Sequence, residues 1–273
     1  MIKTTNNHPE LIEKLTEGIP QLVSSDKWQS YLDFQSKFYR CSYNNVLLIS
    51  SQCKHATNVA SFGAWKALGR NVVKGEKAIY IFASLVYKVS DENSDEETRI
   101  IPGFKFVPVF DVSQTEGEEL PSICDRLVGS DPNNCYERLV VVADSLGFVV
   151  FDHSFSDSTN GDYNFEQSCI RVKVTISPAQ RVKTLAHELA HAYLHKNEKN
   201  RSLAELEAES VAYIVCQMLG INSSDYTFGY VTTWAGSGDD AITSIKASCE
   251  RIQFATCKML HEMNENCKVA SSL

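Results

Sequence analysis

His187, Glu188 and His191 stand in an H-E-x-x-H pattern, and no other residues in the chain are so plainly spaced for chemistry. On a helix, positions i and i+4 share one face, so both imidazoles can reach a single divalent metal ion. Glu188 adjoins the first imidazole, where a carboxylate can take a proton from water that the metal activates. That chemistry is hydrolysis, with Glu188 as its expected base. Zinc is the expected ion and Mn2+ the alternative. A hydrolytic site leaves one coordination position open, so one further protein ligand is needed. The segment R-S-L-A-E-L-E-A-E-S-V-A that starts at Arg201 offers Glu205, Glu207 and Glu209. Glu205 and Glu209 share a helical face, while Glu207 lies about 200° around from Glu205 and should point away. Glu205 is read as the third ligand, with Glu209 orienting a ligand histidine through its second ring nitrogen. Ser202 and Glu205 also fit a capping box; on that reading Glu205 is structural and Glu209 is the ligand.

His195 continues the histidine stripe by another turn. A third ligand from the same helix would sit about 6 Å further along the axis, too far for one tetrahedral ion. Terminal packing or a contact with the helix C-terminus is its expected role. Tyr226 and Tyr230 lie one turn apart if helical, and either could hydrogen-bond a developing oxyanion. Tyr230 is the candidate carried forward; packing beside Phe228 and Trp234 is the other reading.

The elements that must position these groups are legible around them. Ser177, Pro178 and Gln180 open a helix with an N-cap, a proline at the first helical position and the outline of a capping box. That helix should run to about His195, and a second from Ser202 to Leu219, stopped by Gly220. Small residues, Ala208 and Ala212, would let the two approach closely. A helix over 136–146 and strands over 148–152 and 168–176 should precede them, with Asn160-Gly161 as a hairpin turn signal. A last long helix is expected over 240–263.

The 273 residues carry 43% hydrophobic and 22% charged side chains, which excludes a disordered tail, a collagen and a coiled coil. No apolar run approaches the roughly 20 residues of a membrane span. The start, MIKTTNNHPE, lacks the basic-then-apolar order of a signal peptide, and the nine scattered cysteines never form C-x-x-C. Reduced thiols in a cytoplasmic protein are therefore expected.

Charge is uneven. Residues 27–88 hold nine Lys/Arg against Asp33 and Glu76, a balance of +7, and 11 of the 27 aromatics. Residues 89–131 hold three basic against eleven acidic groups, a balance of −8. A basic stretch with interleaved rings suits single-stranded nucleic acid, cations following phosphates and rings stacking on bases. A solvated basic face over core aromatics is the plainer alternative.

In the same half, Asp26 could cap a helix carrying Tyr31, Phe34, Phe38 and Tyr39, and further helices are expected over 44–52 and 61–68. Strands over 78–89 and 100–112 should form a hairpin around the acidic loop 90–98. Residues 113–135 lack periodicity and read as the linker. The expected architecture is α+β: residues 1–130 as helices with a hairpin or small sheet, and residues 131–273 as a second domain with its H-E-x-x-H helix packed on a small sheet.

Thr184 to His195, T-L-A-H-E-L-A-H-A-Y-L-H, together with Glu205 to Tyr213, resembles ImmA/IrrE-type metallopeptidases and the C-terminal domain of ArdC-like antirestriction proteins. The first half resembles the ArdC-like N-terminal domain in the stretches Tyr43 to Ile49, Gln52, Ala56 to Trp65, Leu68 to Arg70, Lys74 to Ile79 and Val109 to Thr115. The resemblance implies a gluzincin-like zinc peptidase fold with His187, His191 and a glutamate of the next helix as ligands, joined to a single-stranded-DNA-binding module. The expected DNA contacts are Tyr43, Asn45, Gln52, Trp65, Arg70, Lys74 and Lys77. Two functions compete on this reading. One is a zinc endopeptidase that cleaves DNA-associated proteins, such as regulators or DNA–protein crosslinks. The other is a DNA-binding antirestriction or mobile-element protein whose peptidase half is a scaffold.

Overall fold

The computed structural model describes residues 4–5, 8–13, 15, 22, 25–89, 99–119, 134–196, 198–221 and 239–270. They form an α+β fold of two compact units, Met1–Gly18 with Asn44–Leu120, and Ile19–Tyr43 with Pro121–Leu273. A single cut near residue 130 would leave 19–43 in the first unit; they belong to the second. The reason is packing of α1 (Ser25–Lys37). Trp28 is fully buried and its indole N–H donates to Ser210 Oγ at 3.0 Å, while the Tyr213 hydroxyl donates to Asp33. Asp26, expected as the N-cap, lies inside the first turn of α1.

In the first unit, β1 (Thr4–Thr5) is followed by α2 (Tyr43–Gln52), β2 (Val59–Ala60), α3 (Phe62–Ala67) and β3 (Arg70–Val72). The hairpin β4 (Ile79–Val89) and β5 (Arg99–Asp111) comes next, then a 3-10 turn and β6 (Thr115–Gly117). β4 runs antiparallel along one edge of β5 in the register Phe82–Phe106; β1 and β2 share the other edge. Asp111 joins the pieces. Its buried carboxylate accepts from the Thr57, Asn58 and Ser113 amides at 2.8, 3.1 and 2.9 Å, and Gln114 Oε1 accepts from the Asp111 amide at 2.9 Å. The acidic loop 90–98 and most of the expected linker lie outside the described residues.

The second unit continues with α4 (Cys135–Ser145), β7 (Val149–His153), β8 (Gly161–Asn164), β9 (Cys169–Lys173), α5 (Pro178–Leu194), α6 (Arg201–Met218) and α7 (Asp239–Ala270). The sheet order is β7-β9-β8, parallel between β7 and β9 and antiparallel between β8 and β9. Asn160-Gly161 does not turn the chain: Gly161 starts β8, and the hairpin turns at 165–168, closed by Ser168 at φ 47°. Period-2 apolar alternation is absent from Gly161–Asn164, so pattern alone could not show this strand.

α5 packs against α6, and Leu185, Ala186, Leu189 and Ala190 of the first and Ala208, Val211, Ala212 and Val215 of the second are all fully buried. The α5 start is capped by Ser177 Oγ, which accepts from the Gln180 amide at 3.2 Å, with Pro178 in the first turn. The reciprocal half of the expected box is not made, since Gln180 Nε2 turns to Thr184 Oγ1 at 3.4 Å. The cap of α6 is Asn200, whose Oδ1 accepts from the Leu203 amide at 3.2 Å. Ser202 is therefore already inside the helix, and the capping-box reading of Glu205 loses its premise.

Candidate metal centre

α5 and α6 bring three ligand atoms together. His187 Nε2, His191 Nε2 and Glu205 Oε2 lie within 4.8 Å of one another, at 3.0 Å between the nitrogens and 3.4 and 3.6 Å from nitrogen to carboxylate. The opposite ring nitrogens are occupied. Glu209 Oε2 is 3.0 Å from His187 Nδ1, and its other oxygen holds Lys183 Nζ at 3.2 Å. His191 Nδ1 meets His195 Nδ1 at 3.0 Å; His195 Nε2 meets Glu207 Oε2 at 3.1 Å. A proton on each ligand Nδ1 leaves both Nε2 lone pairs facing each other and the Glu205 carboxylate. Three acceptors at such range repel unless a cation lies between them, so the donor set fits a divalent ion.

Without an ion the same crowding draws protons in. Burial opposes a charged His187, but hydrogen bonds with Glu205 and Glu209 outweigh it and hold its pKa at about 9. Bonds with His187 and His191 keep Glu205 well below the carboxylate range. Burial pushes Glu188 up, against the pull of the two histidines. Glu209 is held low because His187 and Lys183 outweigh the effect of burial. These groups line a cleft of 790 Å³ together with Gly161 to Tyr163 of β8 and Phe165. In the sheet order β8 is an edge strand, and it forms one wall of the cleft.

His195 and Glu207 are what sequence reasoning missed. His195 is buried and stands outside the three-atom cage, as its distance along the helix required, but it is no passive cap. Glu207 points away from the cage as expected, yet it does not reach solvent. It is fully buried and accepts from Ser248 Oγ at 2.6 Å and from Arg251 Nε at 2.9 Å, both on α7. The available signal was that 195 lies one turn beyond the ligand position 191; 207, about half a turn from 205, gave none. Tyr226 and Tyr230 lie outside the described residues.

The expected DNA contacts fare differently. Asn45 Nδ2 donates to the Phe82 carbonyl at 2.9 Å and its Oδ1 accepts from the Phe82 amide at 2.8 Å. Gln52 repeats this on Tyr80, at 2.9 and 3.0 Å. The two amides therefore pair α2 with backbone of β4 and are not free to read bases. Trp65 is buried with its indole on the Phe110 carbonyl at 2.8 Å, and Tyr43 is buried with its hydroxyl pKa raised by desolvation. Arg70 is spent on Thr115, at 2.8 Å to the hydroxyl and 3.0 Å to the carbonyl, clasping β3 to β6. Lys74 and Lys77 are exposed, on the same stretch as exposed Phe62, Lys66, Leu68 and Val73. Trp28, Tyr31, Phe34, Phe38 and Tyr39 of the basic block are core residues too, so most of its rings serve packing.

Residues 6–110 match the family model of the N-terminal domain of anti-restriction factor ArdC, and residues 143–216 match the IrrE N-terminal-like domain of the M78 peptidases. An uncharacterized protein of Bacillus anthracis is 26% identical over 279 residues, covering 85% of this chain and 47% of that protein. This chain thus spans about half the length of that relative. The metal-free crystal structure of antirestriction protein ArdC from the R388 plasmid aligns with a TM-score of 0.53 at 23% identity, over 82% of this chain and 85% of the other. The Mn(II)-bound structure of that protein aligns at 0.43 with 23% identity, over 82% and 87%.

Proposed function

We propose that this chain, whose residues 6–110 match the model of the ArdC N-terminal domain and 143–216 that of the IrrE N-terminal-like domain, is a zinc-dependent endopeptidase acting on proteins associated with single-stranded DNA. The observation that carries the reading is the donor set: two imidazole Nε2 atoms and one carboxylate oxygen converge, with both Nδ1 atoms engaged behind them. A divalent ion held by His187, His191 and Glu205 would polarise the scissile carbonyl and make water acidic enough to attack near neutral pH. Glu188 supplies the proton traffic: its buried carboxylate takes a proton from water and returns it to the leaving amine. Burial raises its proton affinity, which suits a group that must do both. Among the described residues β8 pairs on one side only, and its other edge could take an extended peptide as a further strand beside the cleft. Single-strand binding by the first unit would raise the local concentration of DNA-bound substrate. Exposed Phe62, Lys66, Lys74 and Lys77 have the right chemistry for it.

The test is cleavage of a single-strand-bound protein by the zinc-loaded full chain, beside Glu188→Gln. Wild type should cut, faster with DNA than without, and Glu188→Gln should keep the metal and lose cleavage by about 10²- to 10⁴-fold. A zinc-loaded wild type that cuts nothing overturns the peptidase reading. The ArdC-type match over 6–110 favours a second reading, a DNA-binding antirestriction protein with a scaffold peptidase half. Antirestriction that survives Glu188→Gln unchanged would select it.

A further inference from the structure

We infer that His195 and Glu207 are positioning residues that fix the ring orientation and proton placement of His191 at the metal centre, an inference that rests on the metal-site reading above. The order of donors forces it. Ser248 and Arg251 can only donate to Glu207, since hydroxyl and guanidinium protons point at a carboxylate. Glu207 is therefore an acceptor toward every neighbour, and the 3.1 Å contact requires the proton on His195 Nε2. Arg251 supplies the counter-charge of this buried carboxylate, and its bonds with Ser248 and His195 complete its coordination. With Nε2 protonated, a neutral His195 presents a lone pair at Nδ1. The 3.0 Å contact with His191 Nδ1 is then a hydrogen bond only if His191 carries the proton there. Its Nε2 is left bare, aimed at His187 Nε2 and Glu205 Oε2.

The two ligand imidazoles are thus held by different means. Glu209 grips His187 in one step. His191 is gripped in two, through a second imidazole, and the tether ends on α7. A carboxylate placed directly behind His191 would bring another negative charge next to the cage; an imidazole passes on the orientation without that charge. The arrangement ties the C-terminal helix to the geometry of the site.

Two nearly isosteric substitutions separate this role from packing. In His195→Asn the amide oxygen falls near the old Nδ1 and can still accept from His191. In His195→Gln the amide falls near the old Nε2 and reaches Glu207 instead. Zn2+ affinity is measured on the full chain by chelator competition, with the visible spectrum of the Co2+ form as a second readout and metal-free thermal melts as the folding control. Gln should bind Zn2+ about 10- to 100-fold more weakly than wild type with a changed Co2+ spectrum, and Asn should recover most of the loss. Gln binding as tightly as wild type, or Asn and Gln equally weak, overturns the inference while the metal site stands. Wild type that takes up neither ion overturns the metal-site reading itself, and this inference with it.

Discussion

A β-carbon added to Gly161 would lie 3.2 Å from Glu188 Cγ, 2.4 Å from Thr184 Cγ2 and 3.0 Å from the Arg171 carbonyl oxygen. The edge strand and the H-E-x-x-H helix touch there, and the side chain of the expected base rests against bare backbone.

Gly161→Ala should therefore act at both levels. β8 must move off α5, at a cost of about 1–3 kcal/mol for an overpacked contact. Thermal melting should show the loss, and peptide hydrolysis should fall because Glu188 shifts. Zn2+ affinity should stay near wild type, since no ligand atom is displaced. Adding Thr184→Ser removes the closest clashing atom and should restore part of the melting temperature; a double variant no more stable than Gly161→Ala would show that the clash lies elsewhere.

The two acids of α6 are separable by metal content. Glu205→Gln removes an oxygen from the cage and should strip Zn2+ on dialysis. Glu209→Gln leaves the cage intact but loosens His187, and should weaken affinity by about 10- to 100-fold. Elemental analysis after dialysis checks both, and the reverse ranking would make Glu209 the ligand.

Saturating Zn2+ should also stabilise the second unit. An ion at 100 times its dissociation constant adds about 2.7 kcal/mol if the unfolded chain does not bind it. The melting temperature should rise with Zn2+ in wild type and stay flat in a His187→Ala/His191→Ala variant.

Asn45 and Gln52 should reveal themselves as structural. Replacing either by Leu leaves an amide and a carbonyl of β4 without partners, at about 1–3 kcal/mol each if water cannot reach them. Single-strand affinity of the folded variants should be unchanged. Lys74→Ala and Lys77→Ala should do the reverse, keeping stability while flattening the salt dependence of binding, by about one unit of slope for each phosphate left unneutralised. Titrations at several salt concentrations give the answer directly.

Asp111 sets a pH dependence in the first unit. Burial acts to raise its pKa, but bonds from Ser113, Thr57 and Asn58 prevail and hold it below its ordinary value of 3.8. A carboxylate with a depressed folded-state pKa stabilises fully above its unfolded value and loses that contribution as pH falls through the folded one. Hydrogen exchange at the Thr57 and Asn58 amides, corrected for the intrinsic pH dependence of exchange, reads this directly. Protection should fall from about pH 5 downward in wild type, and be low and pH-independent in Asp111→Ala.

What the sequence determined by itself is what local spacing controls. Helical periodicity put His187 and His191 on one face with Glu188 beside them, and the same rule placed Glu205 and Glu209 together with Glu207 turned away. Ser177 and Pro178 marked where α5 begins, because caps are local events. What only the tertiary structure decided is where each polar side chain finds its partner. Asn45 and Gln52 looked available in sequence and are bound to β4, because an exposed sheet edge satisfies an amide as well as a base does. Trp65 and Tyr43 looked like stacking platforms and are core, because ring content says nothing about which face is buried. His195 and Glu207 looked peripheral and stand behind the centre, because the partners that fix Glu207, Ser248 and Arg251, are some 40 residues further along the chain and His195 is held through Glu207. Hydrogen bonds over such separations depend on how helices pack, and one chain's residue pattern does not encode that packing legibly.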